Sequence, residues 1–287
     1  MLYQNVPIDF EKQVLVFIHI PKTAGSSLSE ALRQSLGPKN CVGCLSVKYQ
    51  KVFSSALHRT HWNAKNYIRN SIKILSGSHP LLPSSARDID TNHTSLLHGS
   101  FPINYEPNKA REPIYIAMVR DPVERFISQY YYDIDVMLAL PEKSRKPHHY
   151  RAYDIDSYVD YVYERRRWTD TNLQCRFIGG DESFEAARAA IDHKVFLVAP
   201  VDRSANFAEL LGPVLSLDAM ELPRINVGQT RQNKPPPSAE TLAKIADMVP
   251  NDRRLFEYVC QQFDHVYGSA TTSKRPPASA PPRGRAN

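Results

Sequence analysis

The stretch that most constrains this fold is VLVFIHIPKTAGSS, from Val14 to Ser27. Val14 to Ile20 is apolar except for one histidine and rich in β-branched residues, which is typical of a buried parallel strand. Pro21 stops the strand, Gly25 permits a tight turn, and Ser26 and Ser27 occupy positions typical of helix N-caps. The pattern therefore predicts a strand, a short loop and a helix.

This arrangement has the chemistry of an anion site. The first backbone N–H groups of a helix and the positive end of its dipole face a ligand at the N-terminus. Lys22 adds a full positive charge in the loop. The sequence thus predicts phosphate binding between Pro21 and Ser27.

A second strand is followed directly by a helix further along the chain. Ile114 to Arg120 is apolar up to its terminal arginine. In the next four residues, DPVE, Asp121 is suited to the N-cap and Pro122 to the first helical position, and Glu124 completes a capping-box pattern. Arg120 is therefore expected at the carboxyl edge of a sheet, where open α/β sheets bind ligands.

The remaining pattern alternates strands with helices. Leu96 to Phe101 and Val195 to Val201 are further strands, and the apolar periodicity predicts helices at 155–166, 172–180, 183–193, 205–215, 238–248 and 252–267. We expect an α/β domain with a central, mostly parallel sheet covered on both faces. It spans residues 1–268, and residues 269–287 form a disordered basic tail rich in proline, serine and alanine.

Charge and composition narrow the class of protein. The net charge is +6, and no aspartate or glutamate occurs between Ala31 and Ala86, so one face is expected to be strongly positive. The chain as given shows no signal peptide and no apolar run long enough to span a membrane. With four cysteines, these features favour a cytoplasmic protein without an integral membrane segment.

Two cysteines and two histidines approach the spacing of a zinc site. Cys41 and Cys44 are followed by His58 and His61. The histidine spacing is one residue shorter than usual, and the apolar core positions of a zinc finger are missing. Buried thiols and ordinary histidines are the preferred interpretation, and we assign no metal.

Together, the two strand–loop–helix motifs resemble the cofactor-binding signatures of sulfotransferases that use 3′-phosphoadenosine 5′-phosphosulfate (PAPS). The motifs are PKTAGSS at 21–27 and RDPxxRxxSxYY at 120–131. The resemblance is nearest to the carbohydrate group that includes heparan sulfate and uronyl 2-O-sulfotransferases, and it extends over roughly 14–264. It implies a P-loop-NTPase-like three-layer fold and in-line transfer of a sulfuryl group from PAPS to a hydroxyl, with no metal required.

The resemblance also implies roles for individual residues. Lys22 would contact the oxygen that bridges phosphorus and sulfur, and Arg120 and Ser128 would bind the 3′-phosphate. Arg231 and Lys234 fall in a stretch similar to a late basic loop that closes over the nucleotide. The loop that would hold the 5′-phosphosulfate consists of Pro21, Lys22, Thr23, Ala24, Gly25, Ser26 and Ser27.

The acceptor hydroxyl requires a general base, for which histidine is suited. In the 2-O-sulfotransferase group a His-Gly-His element precedes the second cofactor strand, and this chain has His98-Gly99-Ser100 there. His98 matches the first histidine and is our candidate base, although the family's proposed base falls at the serine. His79 is the reserve candidate.

Two other functions are compatible with parts of the pattern. A P-loop kinase or NTPase would share the architecture, but its lysine follows the last glycine of the loop, whereas Lys22 precedes Gly25. A non-catalytic polyanion-binding protein would use the acid-free basic segment. For a sulfotransferase, the basic segments favour an anionic saccharide as acceptor. Neutral glycans, lipid-linked sugars and small alcohols are still open, and no nucleic acid partner is expected. The sequence does not predict the oligomeric state.

Overall fold

A computed structural model describes residues 1–44, 95–99, 103, 111–138, 154–164, 171–223 and 234–272. Its strands are β1 (Gln13–Ile18), β2 (Cys41–Cys44), β3 (Leu96–Gly99), β4 (Glu112–Val119) and β5 (Val195–Pro200). Its α-helices are α1 (Gly25–Leu36), α2 (Pro122–Leu138), α3 (Ile155–Glu164), α4 (Leu173–Gly179), α5 (Phe184–His193), α6 (Ser204–Val214), α7 (Ala239–Met248) and α8 (Pro250–Thr272).

All described strand pairs are parallel, and the strand order is β2-β3-β1-β4-β5. The chain leaves β1 toward β2 on one side of the sheet, whereas it leaves β4 toward β5 on the other side. The crevice between the carboxyl ends of β1 and β4 is therefore a topological switch point, where open α/β sheets bind ligands. The predicted parallel α/β fold is confirmed.

The core has three parts. One sheet face packs against α4, α5 and the first half of α8, and the other packs against α1, α6 and the second half of α8. A third apolar cluster joins α2, α3 and α7. Because α1 follows β1 and α2 follows β4, both helices begin at the carboxyl edge of the sheet.

Two differences from the sequence-based expectations concern element bounds. Cys41–Cys44 forms the edge strand β2, which the spacing of its cysteines did not indicate. Cys41 is buried, and burial raises the pKa of its thiol to about 11. His58 and His61 lie outside the described residues, so the zinc hypothesis is not tested.

The second difference is in the last helix, α8, which runs to Thr272, past its predicted end at 267. Residues 273–287 lie outside the described part. Among the described helices, none combines the length and apolar character needed to cross a bilayer.

Candidate functional site

The loop between β1 and α1 has an unusual backbone. Lys22 and Ala24 have positive φ angles of 69° and 58°, in the left-handed region that residues with a side chain rarely adopt. Such conformations persist only where the surrounding structure imposes them, and they concentrate at functional sites. The predicted turn glycine, Gly25, is instead the first residue of α1. The expected role of Gly25 in the turn is therefore wrong.

The N-terminus of α1 has no side-chain cap among the described residues. Its N-cap is Ala24, and Ser26 and Ser27 lie within the first helical turn, which corrects their predicted capping position. The first turn carries no acidic residue, so the positive end of the helix dipole is not neutralised from within the helix. The buried Thr23 ties the loop to the strand, since its Oγ1 donates to the Ile20 carbonyl at 2.9 Å.

Glycine is needed at position 25 for a different reason, because the His19 ring lies close to its backbone. A Cβ at position 25 would lie 2.0 Å from His19 Cδ2 and 2.3 Å from its Nε2. The imidazole also stacks on Phe17, with ring centres 5.7 Å apart. Burial, reinforced by the positive charge of Lys22, lowers the pKa of His19 to about 4. A neutral imidazole at neutral pH therefore packs beneath the start of α1.

Lys22 is half-buried among other charges. Burial lowers the pKa of its ammonium, and the nearby Arg120 guanidinium lowers it further, while Asp133 and Asp135 act in the opposite direction. Its Nζ lies 4.1 Å from the centre of the Tyr132 ring. An arriving anion would stabilise this ammonium, because the loop itself provides less solvation than water does.

Arg120 lies at the other side of the crevice, one residue beyond β4. Its Nη1 donates to the Lys22 carbonyl at 3.4 Å, and its Nη2 donates to Glu124 at 3.3 Å. The carboxylate of Asp121 accepts from the backbone N–H groups of Val123 and Glu124, both at 3.0 Å. The predicted Asp121 cap of this helix is thus confirmed, and the Arg120 side chain next to it reaches the β1–α1 loop.

Ser128 belongs to a row of residues on α2. Glu124, Ser128 and Tyr132 are spaced four residues apart and so share one helix face. Glu124 contacts Arg120 at one end of the row, and Tyr132 contacts Lys22 at the other. The half-buried Ser128 between them therefore faces the same crevice.

His98 lies one residue before the end of β3, in register with Phe17. It is half-buried, and its Nδ1 is 3.3 Å from Ser29 Oγ on α1. The carbonyl of the following residue, Gly99, accepts a hydrogen bond from the His19 N–H at 2.8 Å. Neighbouring strand ends therefore carry His98 and the β1–α1 loop, on the sheet face that α1 covers.

The remaining candidates are more distant in the chain. Lys234 is exposed and precedes α7. Arg231, His79 and Ser100 lie outside the described residues, so their assignments stay predictions. The sequence interpretation did not identify Tyr132 as a partner of Lys22, nor His19 as the ring beneath Gly25. The four-residue spacing from Ser128 was the available signal for Tyr132.

The chain is similar to known proteins over most of its length. The family model described as "Sulfotransferase family" matches residues 8–176, more than half of the chain. The heparan sulfate 2-O-sulfotransferase hst-2 of Caenorhabditis elegans is 21% identical over 288 residues, covering 90% of this chain and 81% of its own length. The heparan sulfate 2-O-sulfotransferase 1 of Xenopus laevis is 24% identical over 294 residues, which cover 94% of this chain and 76% of its own length.

Proposed function

The chain belongs to the sulfotransferase family, and on that premise we propose that it moves a sulfuryl group from PAPS to a hydroxyl of an anionic saccharide. PAPS is the donor that the family implies. The names of the two relatives support a carbohydrate acceptor. The basic, acid-free segment 31–86 supports an anionic one, because it would attract a polyanion.

The observation that best supports this proposal is the contact between two cationic residues, Arg120 just beyond β4 and Lys22 in the loop after β1. Arg120 Nη1 reaches the Lys22 carbonyl, and burial together with the charge of Arg120 lowers the pKa of Lys22. Two cationic residues in contact, beside a helix N-terminus whose first turn has no acidic residue, favour a ligand with more than one anionic group. A nucleotide with phosphates at its 3′ and 5′ ends fits that requirement.

In this proposal the loop from Pro21 to Ser27 holds the 5′-phosphosulfate. Lys22 neutralises the charge that develops on the phosphate as the sulfur–oxygen bond breaks, which is the main catalytic demand of such transfers. Arg120 and Ser128 bind the 3′-phosphate, the first through a planar guanidinium and the second through a hydroxyl donor. Arg231 and Lys234 are proposed to approach the nucleotide from the later loop.

His98 is the proposed general base for the acceptor. As the acceptor oxygen bonds to sulfur, the hydroxyl proton must pass to a basic atom. If His98 Nδ1–H donates to Ser29 Oγ, the basic lone pair is on Nε2, and Ser29 then fixes the tautomer. The proposal thus gives Ser29 an orienting role.

Donor choice is tested by ligand-induced stabilisation. We expect adenosine 3′,5′-bisphosphate (PAP) to raise the melting temperature more than ATP with magnesium at equal concentration, since the second phosphate site is at the 3′ end. Stabilisation by ATP with magnesium alone would favour the kinase alternative, which the family match does not support.

Acceptor choice is tested by incubation with sulfur-labelled PAPS. The panel should contain heparan sulfate, its 2-O-desulfated form, a neutral glycan and a small alcohol. We expect label on the desulfated polysaccharide. Protein that binds PAP but labels no hydroxyl compound would contradict catalysis and favour a polyanion-binding role.

The cellular location is a separate proposal. We propose a cytoplasmic protein, supported by the free thiols of Cys41, Cys175 and Cys260 among the described cysteines. Fractionation of cells that express the full chain tests it.

A further inference from the structure

The side chain of Gln174 holds both backbone polar groups of Arg120. The Arg120 N–H donates to Gln174 Oε1 at 2.8 Å, and Gln174 Nε2 donates to the Arg120 carbonyl at 2.9 Å. Arg120 lies just beyond β4, after the ladder to β5 has reached Pro200. The amide of Gln174 thus replaces the peptide group that a neighbouring strand would otherwise supply.

Gln174 is itself fixed by an exchange of helix caps. The Asp252 carboxylate at the start of α8 accepts from the backbone N–H groups of Gln174 (3.1 Å) and Cys175 (2.8 Å) at the start of α4. In return, Asn172 Oδ1 accepts from the N–H groups of Asn251 (2.9 Å) and Asp252 (3.0 Å). Each helix therefore caps the other, and the Gln174 backbone cannot shift without breaking the exchange.

The start of α8 also interacts with α2 and with the residue that caps it. Arg125 and Asp252 are both fully buried, and the positive charge of Arg125 counteracts the effect of burial, which raises the pKa of Asp252. Arg253 adds an ion pair to Asp121 at 2.7 Å. The corner formed by Arg120 and Asp121 is thus held from α4 and α8 as well as from its own helix.

We propose that Gln174 is a positioning residue that aims the Arg120 guanidinium at the 3′-phosphate of the donor. The inference rests on the proposed function, in which Arg120 binds that phosphate. A guanidinium at the end of a long side chain moves by large distances when its backbone rotates slightly, and loss of precise geometry is costly in such sites. Gln174 fixes this backbone without touching the ligand.

The test compares two ligands that differ only in the 3′-phosphate, PAP and adenosine 5′-monophosphate. Calorimetry gives both dissociation constants. The ratio of the monophosphate constant to the PAP constant measures what the 3′-phosphate contributes to affinity. Gln174→Met keeps the length of the side chain and removes both hydrogen bonds. We expect it to weaken PAP binding about tenfold, the equivalent of one charge-assisted hydrogen bond, and to change monophosphate binding less than about twofold.

Two controls separate positioning from general damage. Ile178→Val shortens a buried side chain on the same helix without touching Arg120, and it should leave the ratio unchanged. In an Arg120→Ala background, Gln174→Met should have no further effect on the ratio. Gln174→Glu keeps the acceptor for the Arg120 N–H and loses the donor to the Arg120 carbonyl. It should also lower the ratio, and it replaces Gln174→Met in the test if that variant does not fold.

The outcomes distinguish this inference from the proposed function. A wild-type protein that binds both ligands equally refutes the 3′-phosphate assignment of Arg120, and the role of Gln174 with it. A wild-type protein that prefers PAP, with an unchanged ratio in the folded Gln174 variants, overturns the positioning role alone. A ratio that falls in the Gln174 variants and not in Ile178→Val supports it.

Discussion

The Lys22 ammonium lies 4.1 Å from the centre of the Tyr132 ring, so the side chain proposed to act on the phosphosulfate rests on a residue of α2. A cation over an aromatic face gains about 0.5–1 kcal/mol at a partly exposed site. Tyr132 as a whole residue is 42% exposed. It therefore limits the freedom of a long, flexible side chain and supports its charged form, which burial and Arg120 both disfavour.

Replacement of Tyr132 should weaken donor binding through Lys22. We expect Tyr132→Leu to raise the dissociation constant of PAP about two- to fivefold, the equivalent of the lost cation–π contact, and Tyr132→Phe to leave it unchanged, since phenylalanine keeps the ring face. In a Lys22→Ala background the leucine substitution should have no effect. Tighter binding by Tyr132→Leu would instead mean that the ring competes with the donor.

Lys22 itself should matter more for the reaction than for stability. Lys22→Ala removes a charge aimed at the leaving phosphate, and loss of one such group typically lowers kcat by about 100- to 1,000-fold. The melting temperature should not fall, because a half-buried ammonium with a lowered pKa contributes little to folding. Lys12→Ala, at a lysine with an 83% exposed side chain, is the matched control and should keep full activity. Transfer by Lys22→Ala within tenfold of wild type would contradict the role.

The assignment of His98 is tested by separating chemistry from binding. A general base contributes about 100- to 10,000-fold, so His98→Gln should lower kcat by at least about 100-fold while PAP binding is retained. Ser29→Ala removes the partner of Nδ1 and should have a smaller effect on kcat. Near-normal kcat in His98→Gln, with a lowered melting temperature, would identify His98 as a structural histidine beneath α1.

The parts of the fold that the sequence predicted are those with local signals. The Asp121 cap and the apolar run of β4 are encoded within a few residues, and the structure places both as expected. β2 was missed because a four-residue edge strand is defined by its pairing with β3, far along the chain. The left-handed Lys22 and Ala24 were missed for a similar reason, since packing around the loop imposes them.

The role of Gln174 shows the same limit within the site. The sequence predicted its short helix correctly. The hydrogen bond between Gln174 and Arg120, however, joins positions 54 residues apart. Periodicity and capping patterns report neighbours within about one helical turn or across a turn. A residue that supports a strand end from another layer leaves no such pattern, so its function emerged only from the structure.

The close approach of His19 to Gly25 predicts a strong coupling between the two positions. A methyl group at position 25 would overlap the imidazole, and overpacking of this kind costs about 1–3 kcal/mol. Gly25→Ala should therefore lower the free energy of unfolding measured with urea, although alanine is the better helix former. In a His19→Ala background, where the ring is gone, Gly25→Ala should instead raise the free energy of unfolding.

The matched control for this prediction is Gly268→Ala on α8. A Cβ there meets no atom within 4 Å, so the substitution should raise stability by up to about 1 kcal/mol through helix propensity alone. Equal effects of alanine at positions 25 and 268 would show that the histidine ring yields easily and that the approach does not require glycine.

The half-buried imidazole of His19 also predicts how stability depends on pH. Its pKa is about 4 in the folded protein against 6.5 for an ordinary histidine, because burial and the charge of Lys22 oppose protonation. Between these values the unfolded chain binds more protons, so acidification from pH 6.5 toward 4 should lower the free energy of unfolding, by at most about 3 kcal/mol. His19→Asn should reduce this loss when urea unfolding is compared at pH 7 and 4.5, whereas His193→Asn, at an exposed histidine, should not. If acidification lowered the free energy of unfolding equally in wild type and His19→Asn, groups other than His19 would cause the pH dependence.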